Sequence, residues 1–434
     1  MPSSPDILRR TAWYALALAL ALALAGPARA QSESDPGVDA LASELQGSPG
    51  SILSRVQLSG WGDFTYARIF VDEGSLLGVQ LPRHGAFAIG NLNLYVDAPL
   101  SRRARSFIEA RLTYMPNGVQ SSAPDGTFSF PRQSTGFMDY ANTNSRDAWG
   151  GVVIERAFVE YTLDERLTLR AGHFLTPYGV WNVDHGSPAI VSVQRPYIVG
   201  QELIPKAQVG LEAYGTFHVG GSRLGYHATV SNGRIGENPQ YLDYDDRLAF
   251  GGRLFLENTK VGNLKVGLSA YGGRYTEART ALGAGGVEER VLEQFDELSL
   301  GADVHWEVKG LNLTGEVVWN DRTWRQGLPQ RNPPLDTSTY DRDSRWGAYV
   351  LAGYALPFAQ RVMPYVRAEF FRPSTELRGE AQADALLGFV GVNTHLQPNL
   401  IVKLEYAHAV FRGYDGPPYD SDIDAFFAQT SWAF

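Results

Sequence analysis

The feature that most constrains this chain is an alternation of apolar and polar residues, which recurs in short segments from about residue 56 onward. In one of these segments Ile108, Ala110 and Leu112 alternate with Glu109 and Arg111. A period of two indicates β-strands that have one apolar and one polar face. Because such segments follow one another without an intervening helical pattern, the predicted fold class is all-β.

About sixteen segments of this kind can be placed, an even number that is typical of bacterial outer-membrane barrels. Most are long enough to cross a hydrocarbon layer, which takes roughly 9–11 residues per strand. A sheet in lipid must also close on itself, because an open edge would leave backbone groups unpaired. We therefore predict a transmembrane antiparallel β-barrel. The predicted strands span residues 56–68, 87–98, 105–115, 152–162, 167–176, 208–218, 223–231, 247–258, 263–275, 295–308, 311–323, 345–356, 361–373, 385–396, 399–411 and 422–434.

The connections between these strands alternate in length, which is typical of barrels with short periplasmic turns and long outer loops. Short connections occur at 163–166, 219–222, 309–310 and 397–398, and long ones at 116–151, 177–207, 276–294 and 324–344. Both chain termini are then expected on the periplasmic side.

Outward-facing aromatic residues cluster near both ends of the predicted strands, as expected of two girdles at the membrane interfaces. A core aromatic cluster in a soluble β-protein is the alternative. The outer group is Tyr114, Phe250, Trp319, Trp346 and Phe370, and the periplasmic group is Tyr161, Phe217, Trp306, Tyr354 and Trp432.

The first thirty residues are predicted to be a signal peptide. Arg9 and Arg10 precede an apolar run at 11–25, and Ala28-Arg29-Ala30 is typical of a cleavage site. Residues 31–55 are then a short periplasmic N-terminal segment, and 56–434 form the barrel. The terminal Phe434 resembles the signal that the barrel assembly machinery recognises. These features predict a protein of the Gram-negative outer membrane, in contact with the lipid bilayer and lipopolysaccharide.

Composition excludes several other classes of protein. The chain has no cysteine, so it has neither disulfides nor thiolate metal sites. Its formal net charge of −9 argues against a nucleic-acid partner. The sequence gives no indication of a cofactor. The aspartates of the last outer loop could hold Ca²⁺, but they lack the glycine and terminal glutamate of a calcium loop. These aspartates are Asp415, Asp420, Asp422 and Asp424.

One motif points to a family. The run Leu169-Arg170-Ala171-Gly172-His173-Phe174-Leu175-Thr176-Pro177-Tyr178-Gly179 resembles a motif of the phosphate-selective porin O and P family, at the end of its fifth strand. The matching positions are Gly172, Phe174, Thr176, Pro177 and Gly179. The resemblance implies a sixteen-stranded homotrimeric porin whose third outer loop, here 177–207, folds into the pore. An ordinary surface loop is the alternative.

Charged residues on the wall and the loop are candidates for the constriction of such a pore. Asp184 and Glu202 of the loop could face Arg111, Arg156 and Arg170 across a narrow gap. The other candidates are Arg195 in the loop and Arg367 on the wall. Strand parity places nearly equal numbers of basic and acidic residues in the lumen. Strong anion selectivity, and phosphate specificity with it, therefore does not follow.

The predicted function is a passive diffusion channel for small hydrophilic solutes or ions. A non-conducting barrel that serves as a receptor, adhesin or anchor is the alternative. A sugar-specific channel would need a stair of aromatic rings, meaning a row of rings that follows the lumen. The sequence does not show whether its inward tyrosines line up in this way. These tyrosines are Tyr214, Tyr271, Tyr275, Tyr349 and Tyr365. No enzyme is expected, because Asp184-His185-Gly186-Ser187 lacks a nucleophile elbow and adjacency in sequence is not the geometry of a triad.

Overall fold

The computed structural model describes the barrel and only part of its loops. The described residues are 55–71, 84–116, 121–122, 128–129, 147–183, 186–234, 247–283, 286–326, 342–358, 361–373, 383–412 and 420–434. The chain divides into Met1–Arg55 and Val56–Phe434. The predicted signal peptide and almost all of the predicted N-terminal segment lie outside the described residues, so both stay predictions.

Val56–Phe434 forms a closed antiparallel barrel of sixteen strands, as the alternation predicts. Each strand pairs with its neighbours along the chain, and the first pairs with the last. We label the barrel strands β1 Gln57–Val71, β2 Ala86–Pro99, β3 Ala104–Pro116, β4 Asp147–Asp164, β5 Leu167–Leu175, β6 Ala207–Val219, β7 Ser222–Ser231, β8 Ala249–Asn258, β9 Asn263–Gly283, β10 Gly286–Val308, β11 Leu311–Gln326, β12 Arg342–Tyr354, β13 Val362–Arg372, β14 Asp384–Gln397, β15 Leu400–Arg412 and β16 Ser421–Ala433. Between β3 and β4, Ser121–Ser122 pairs with Phe128–Ser129.

The closure of the barrel joins β1 to β16. Trp61 lies opposite Ala433 in this ladder, and the pairing continues to Val71 opposite Ile423. Beyond it, Gly60 and Phe434 exchange two backbone hydrogen bonds of 2.9 Å. The barrel therefore has no open sheet edge, which is the condition for placing strands in lipid.

The connections alternate as predicted, with one exception. We call the end that carries 100–103, 165–166, 309–310 and 398–399 the turn end, and the opposite end the loop end. The predicted long loop at 276–294 is wrong, because β9 and β10 stay paired as far as Gly283 opposite Gly286. The apolar face stops near residue 275, but a polar two-stranded ladder can continue in water, and an argument from apolar alternation does not detect it.

The outer surface of the barrel is apolar. On β14, Leu386 and Val390 are 58% and 57% exposed, whereas the intervening Leu387 and Phe389 are buried. Some exposed aromatic side chains, among them Trp346, lie toward the ends of the strands, as the girdles require, whereas Tyr406 and Phe426 are exposed near the middle of theirs. An apolar surface of this extent is unfavourable in water and fits a hydrocarbon environment. Among the described residues, no helix is both long and apolar enough to cross a bilayer.

The inner face is not uniformly polar. Toward the loop end, the inward side chains of β14, β15, β16 and β1 are apolar and buried, and they form one cluster with side chains of the connection between β5 and β6. That connection carries the only helix among the residues the structure describes, α1 Tyr197–Gly200. The inward members on these four strands are Ala385, Leu387, Phe389, Ala407, Ala409, Phe411, Ile423, Ala425, Phe427, Ala67 and Ile69.

Candidate functional site: the lumen and its inner loop

The connection after β5 leaves the wall partway along the barrel and is closed at its base. β5 ends at Leu175, while β4 beside it continues toward the loop end. Thr176 Oγ1 donates to Pro205 O at 2.5 Å, and Thr176 N donates to Lys206 O at 2.9 Å. We call residues 176–206 the inner loop. Its two ends are held together where β5 and β6 stop pairing.

The motif that resembles the porin family lies at this departure point. A Cβ at Gly172, where φ is +136°, would collide with Ala157 O on the neighbouring strand. Gly179 has φ +72°, and a Cβ there would collide with the carboxylate of Glu316 on β11. A left-handed backbone and a close approach both favour glycine. Phe174, between them, is fully buried. The motif thus has a local structural role: it lets the chain leave the sheet at the end of β5 and brings it against β11 on the other side of the barrel.

Three carboxylates on the far wall accept hydrogen bonds from the backbone of the inner loop. Glu316 Oε1 accepts from the backbone N–H groups of residues 180 and 181 at 2.7 and 2.6 Å. Glu405 accepts from residues 193 and 194 at 3.2 and 3.0 Å. Glu369 accepts from Tyr197 N at 2.5 Å. All three carboxylates are buried, so charge-assisted hydrogen bonds compensate for their desolvation.

Donors on the same wall hold the carbonyls of the inner loop. Lys403 Nζ donates to the carbonyls of residues 187, 190 and 192 at 2.7, 2.8 and 3.1 Å. Arg367 donates to Ser192 Oγ at 2.6 Å and to Gln194 O at 2.5 Å. Asn393 Nδ2 donates to Val191 O at 3.0 Å. The backbone from 187 to 197 is therefore held on both its donor and its acceptor side.

Apolar packing reinforces these anchors. Val193, Ile198 and Leu203 of the inner loop are buried against the apolar inner face of β14–β16 and β1. The ring of Tyr197 lies 5.4 Å from that of Phe371. Since protein interiors are close-packed, this contact makes the inner loop part of the core of that half of the barrel.

The opposite wall, on β3 to β6, carries paired charges that are sorted by depth. Arg156 Nε lies 2.5 Å from Glu109 Oε2, and Arg170 NH1 lies 2.6 Å from Glu212 Oε2. The side chains of Arg156 and Arg170 are 20% and 19% exposed, while both glutamates are 0% exposed. Arg111 and Glu155 show the same order at 17% and 6%. The balanced composition therefore does not give a neutral surface, because guanidinium groups face the lumen and carboxylates lie behind them.

A row of aromatic side chains crosses this wall from strand to strand. Phe107 and Phe158 lie directly opposite each other on β3 and β4, with ring centroids 5.4 Å apart. Tyr214 and His227 lie opposite each other on β6 and β7, at 5.5 Å. Arg170 lies between the two pairs, with its guanidinium carbon 4.3 Å from one ring centroid and 4.8 Å from another. We call the row the aromatic belt. Its members are Tyr95, Phe107, Phe158, Tyr214, His227 and Phe255.

The inner loop meets the aromatic belt through one tryptophan. Trp61, on β1, is buried, and its Nε1 donates to Tyr95 Oη at 2.6 Å. Gly186 lies against the Trp61 ring, since a Cβ at Gly186 would contact it at 3.5 Å. The loop segment that begins at Gly186 and the end of the belt at Tyr95 are therefore at the same level of the lumen.

The structure places the predicted constriction residues in three settings. Arg111, Arg156 and Arg170 line the wall formed by β3 to β6, which we call the free wall. Arg367 is buried beneath the inner loop instead of facing the lumen. Asp184 lies outside the described residues, and Arg195 is half-buried within the loop.

Glu202 is held by a different arginine from those the sequence suggests. Its Oε2 lies 3.6 Å from Arg234 NH1, and Arg234 Nε lies 2.6 Å from Glu297 Oε1. Burial alone would lower the pKa of Arg234, but attraction to Glu297 and Glu202 outweighs it and raises that pKa. Arg234 therefore forms ion pairs with both the inner loop and the wall.

The five inward tyrosines do not form a stair. Tyr271 and Tyr275 contact the rings of Tyr178 and Phe295, respectively. Tyr349 and Tyr365 donate to Glu316 and Glu405 at 3.0 and 2.9 Å, so both lie beneath the inner loop. Tyr214 belongs to the aromatic belt on the other side.

The described residues of the motifs considered for other chemistry lie in structural contacts, while Asp415 lies outside the described residues. Ser187 is buried and donates to Gln429 Oε1 at 2.8 Å, while Asp184 and His185 lie outside the described residues. Asp422 Oδ1 lies 2.7 Å from Arg412 NH1. Asp424 Oδ1 lies 2.8 Å from His408 Nδ1.

The charged residues that strand parity places in the lumen include Glu316, Glu369, Lys403 and Glu405, but parity does not indicate that these four anchor the loop. The signal that could have indicated it is the inner face of β14–β16. Those strands are apolar on both faces at the loop end, and an apolar inner face requires a cover. The inner loop is the long connection that carries enough apolar residues to provide one.

No protein-family model matches the sequence. An uncharacterized protein of Aquifex aeolicus is 26% identical over 150 residues, which is 31% of this chain and 33% of that protein. The match thus spans about a third of the length of that relative. The resemblance to the phosphate-selective porin O and P family stays a prediction.

Solved structures show the same fold. The anion-selective porin from Comamonas acidovorans matches with a TM-score of 0.52 at 11% identity, over 87% of this chain and 99% of that one. The outer membrane channel DcaP of Acinetobacter baumannii matches with a TM-score of 0.52 at 10% identity, over 87% and 97%. OprB of Pseudomonas putida matches with a TM-score of 0.50 at 9% identity, over 88% and 95%. The chain therefore has the sixteen-stranded barrel fold that these outer-membrane proteins share.

Proposed function

We propose that this protein is an outer-membrane porin, a passive diffusion channel whose lumen is narrowed by the inner loop. The observation that carries the proposal is the placement of that loop, which is anchored to β11, β13 and β15 by buried charged groups. The wall at β3–β6 keeps partly exposed arginines. A barrel of 16 strands is wide enough to hold an aqueous lumen. Solutes then pass between the inner loop and the arginine-bearing wall.

The anchoring supports a fixed constriction. A hydrogen bond to a charged group contributes about 1.5–3 kcal/mol. Since Glu316, Glu369, Lys403 and Glu405 all anchor one segment, release of the loop would break several such hydrogen bonds at once. The similar structures named as a porin and a channel are consistent with this function.

The depth sorting of charge supports a preference for anions. A solute at the free wall is closer to the guanidinium groups of Arg111, Arg156 and Arg170 than to the glutamates behind them. Interaction energies between charges fall with distance and with screening by salt, so the nearer layer has the larger effect. We expect a moderate preference, since each arginine is paired.

The surroundings of the channel are part of the same proposal. The apolar outer surface supports a lipid environment. The motif at 169–179 supports a homotrimer by resemblance. Signal-peptide removal, recognition of Phe434 by the assembly machinery and contact with lipopolysaccharide are proposed on the sequence features given above.

The test is single-channel conductance in a planar bilayer, with reversal potentials in a salt gradient. The protein should give discrete conductance steps and a reversal potential of the sign for anions. Replacing residues 182–200 by a short Gly-Ser linker should raise the conductance. The matched control deletes 279–290 from the β9–β10 ladder that extends beyond the barrel, and it should leave the conductance unchanged. Protein that inserts but never conducts would refute the channel and favour a receptor, adhesin or anchor.

A further inference from the structure

The aromatic belt has a defined orientation. Side chains on a sheet stand roughly perpendicular to it. The rings of Phe107 and Phe158 are directly opposite across two strands, with planes only 23° apart. Tyr214 and His227 are opposite with planes 20° apart. Near-parallel rings on adjacent strands face one another along the wall, so their edges point into the lumen.

The groups between and beside these rings are cationic. Arg170 occupies the gap between the two stacked pairs, with its guanidinium over both Phe158 and Tyr214. Arg156 lies 5.0 Å from the Phe107 centroid. At the far end of the belt, Lys265 Nζ lies 4.4 Å from the Phe255 centroid. The lumen therefore meets ring edges, which carry the positive part of the aromatic quadrupole, and guanidinium groups.

We propose that the aromatic belt is a binding site for aromatic carboxylates on their way through the channel. The proposal rests on the function proposed above. The negative π-face of such a solute is attracted to ring edges and to guanidinium groups. Its carboxylate pairs with Arg156 or Arg170, whose side chains are partly exposed. Both halves of the solute thus meet complementary charge on one wall.

Two other classes of solute fit this wall less well. A saccharide stacks on the open face of an aromatic ring, but here the faces are occupied by neighbouring rings and by guanidinium groups. A small inorganic anion would use the arginines alone and would be insensitive to the rings.

The belt also has more apolar surface than a simple ion filter requires. Phe107 is only half-buried on the inner face of the wall, where it meets water when no solute is bound. The arginines are already held by Glu109, Glu160 and Glu212, so the rings are not needed to position them. An aromatic solute would cover this surface and gain the transfer free energy of its burial.

The experiment compares benzoate with cyclohexanecarboxylate, which has the same charge and nearly the same size but no π-face. Binding to the detergent-solubilised full protein is measured by calorimetry, and transient current blocks are counted in planar bilayers. An aromatic contact of this kind corresponds to about a threefold to tenfold difference in affinity, so benzoate should bind tighter by that factor. Maltose and inorganic phosphate serve as the saccharide and simple-anion probes.

Variants locate the site. The double substitution Phe107→Leu, Phe158→Leu should remove the preference for benzoate while both carboxylates still bind weakly. The matched control is Phe217→Leu, which removes an outward ring that stacks on Tyr226 at 5.9 Å, and it should keep the preference. If the double variant does not fold, Arg170→Lys tests the site instead. It keeps the charge but loses the planar group between the rings, and should reduce the preference.

The outcomes separate the two proposals. Equal affinity for benzoate and cyclohexanecarboxylate, or a preference that survives the loss of Phe107 and Phe158, overturns the belt as a binding site. Tighter binding of maltose or phosphate than of benzoate overturns it as well. Because calorimetry does not require conduction, a preference for benzoate in a barrel that never conducts would refute only the channel.

Discussion

Lys403 offers the sharpest test of how the inner loop is held, through the substitution Lys403→Met. Its ammonium group is fully buried and donates to three loop carbonyls, at residues 187, 190 and 192. Methionine fills a similar volume without a donor. Leaving a buried acceptor without its hydrogen-bond donor costs about 1–3 kcal/mol, and here three carbonyls lose the same donor. If about 3 kcal/mol of this is lost from the docked state of the loop, opening of the loop becomes about 100-fold more frequent.

Hydrogen exchange measures this opening at two defined amides. Val193 N and Gln194 N donate to Glu405, so they exchange only when the loop leaves the wall. Their exchange in Lys403→Met should be about 100-fold faster than in the parent, while amides of the barrel ladder stay protected. The control is Lys260→Met, in the exposed turn between β8 and β9. Unchanged protection of the two amides in Lys403→Met would refute the claim that buried charges hold the loop.

Three further outcomes follow from substitutions in the barrel wall and in its connections. Leu404→Arg, on the outward face, should lower the free energy of unfolding by about 2–4 kcal/mol in a urea titration in lipid. Thr216→Arg, on the inward face, should lower it much less, and equal losses would show that the inside and outside faces are misassigned. Gly179→Ala adds both backbone strain and a collision with the carboxylate of Glu316 on β11, whereas Gly220→Ala adds only backbone strain, because the space around it is open. Faster proteolysis within the inner loop is therefore expected for Gly179→Ala and not for Gly220→Ala. Arg170→Met removes the cation that lies between Glu160 and Glu212 and should move the reversal potential toward cations. An unchanged potential would mean that this wall does not set selectivity.

The strands could be predicted from the sequence because one face of each is apolar. The alternation at 108–112 and on the other strands fixed both their number and their inward face, and all sixteen are present. The prediction failed at 276–294, where β9 and β10 continue as a polar ladder. Alternation of apolar and polar residues arises where one face of a strand contacts lipid. A strand pair that continues into water has no such face, so its sequence does not alternate.

The inner loop was predictable in part for a different physical reason. Its length and its apolar residues indicate a packed segment, and Gly179 marks its departure. Its anchors could not be predicted, because strand parity places Glu405 and Lys403 in the lumen without saying what meets them. Each binds backbone atoms more than 200 residues away in sequence. Such partners depend on the closed barrel, which brings β15 opposite a loop that starts at β5.

If the inner loop narrows a conducting lumen, polymer exclusion measures the width of that lumen directly. Single-channel conductance is recorded with polyethylene glycols of increasing size, for the parent protein and for the protein with 182–200 replaced by a short linker. Polymers that enter the pore lower its conductance, and those that are excluded do not. The structure predicts a small size limit in the parent and a distinctly larger one after replacement. An identical limit in both proteins would contradict the claim.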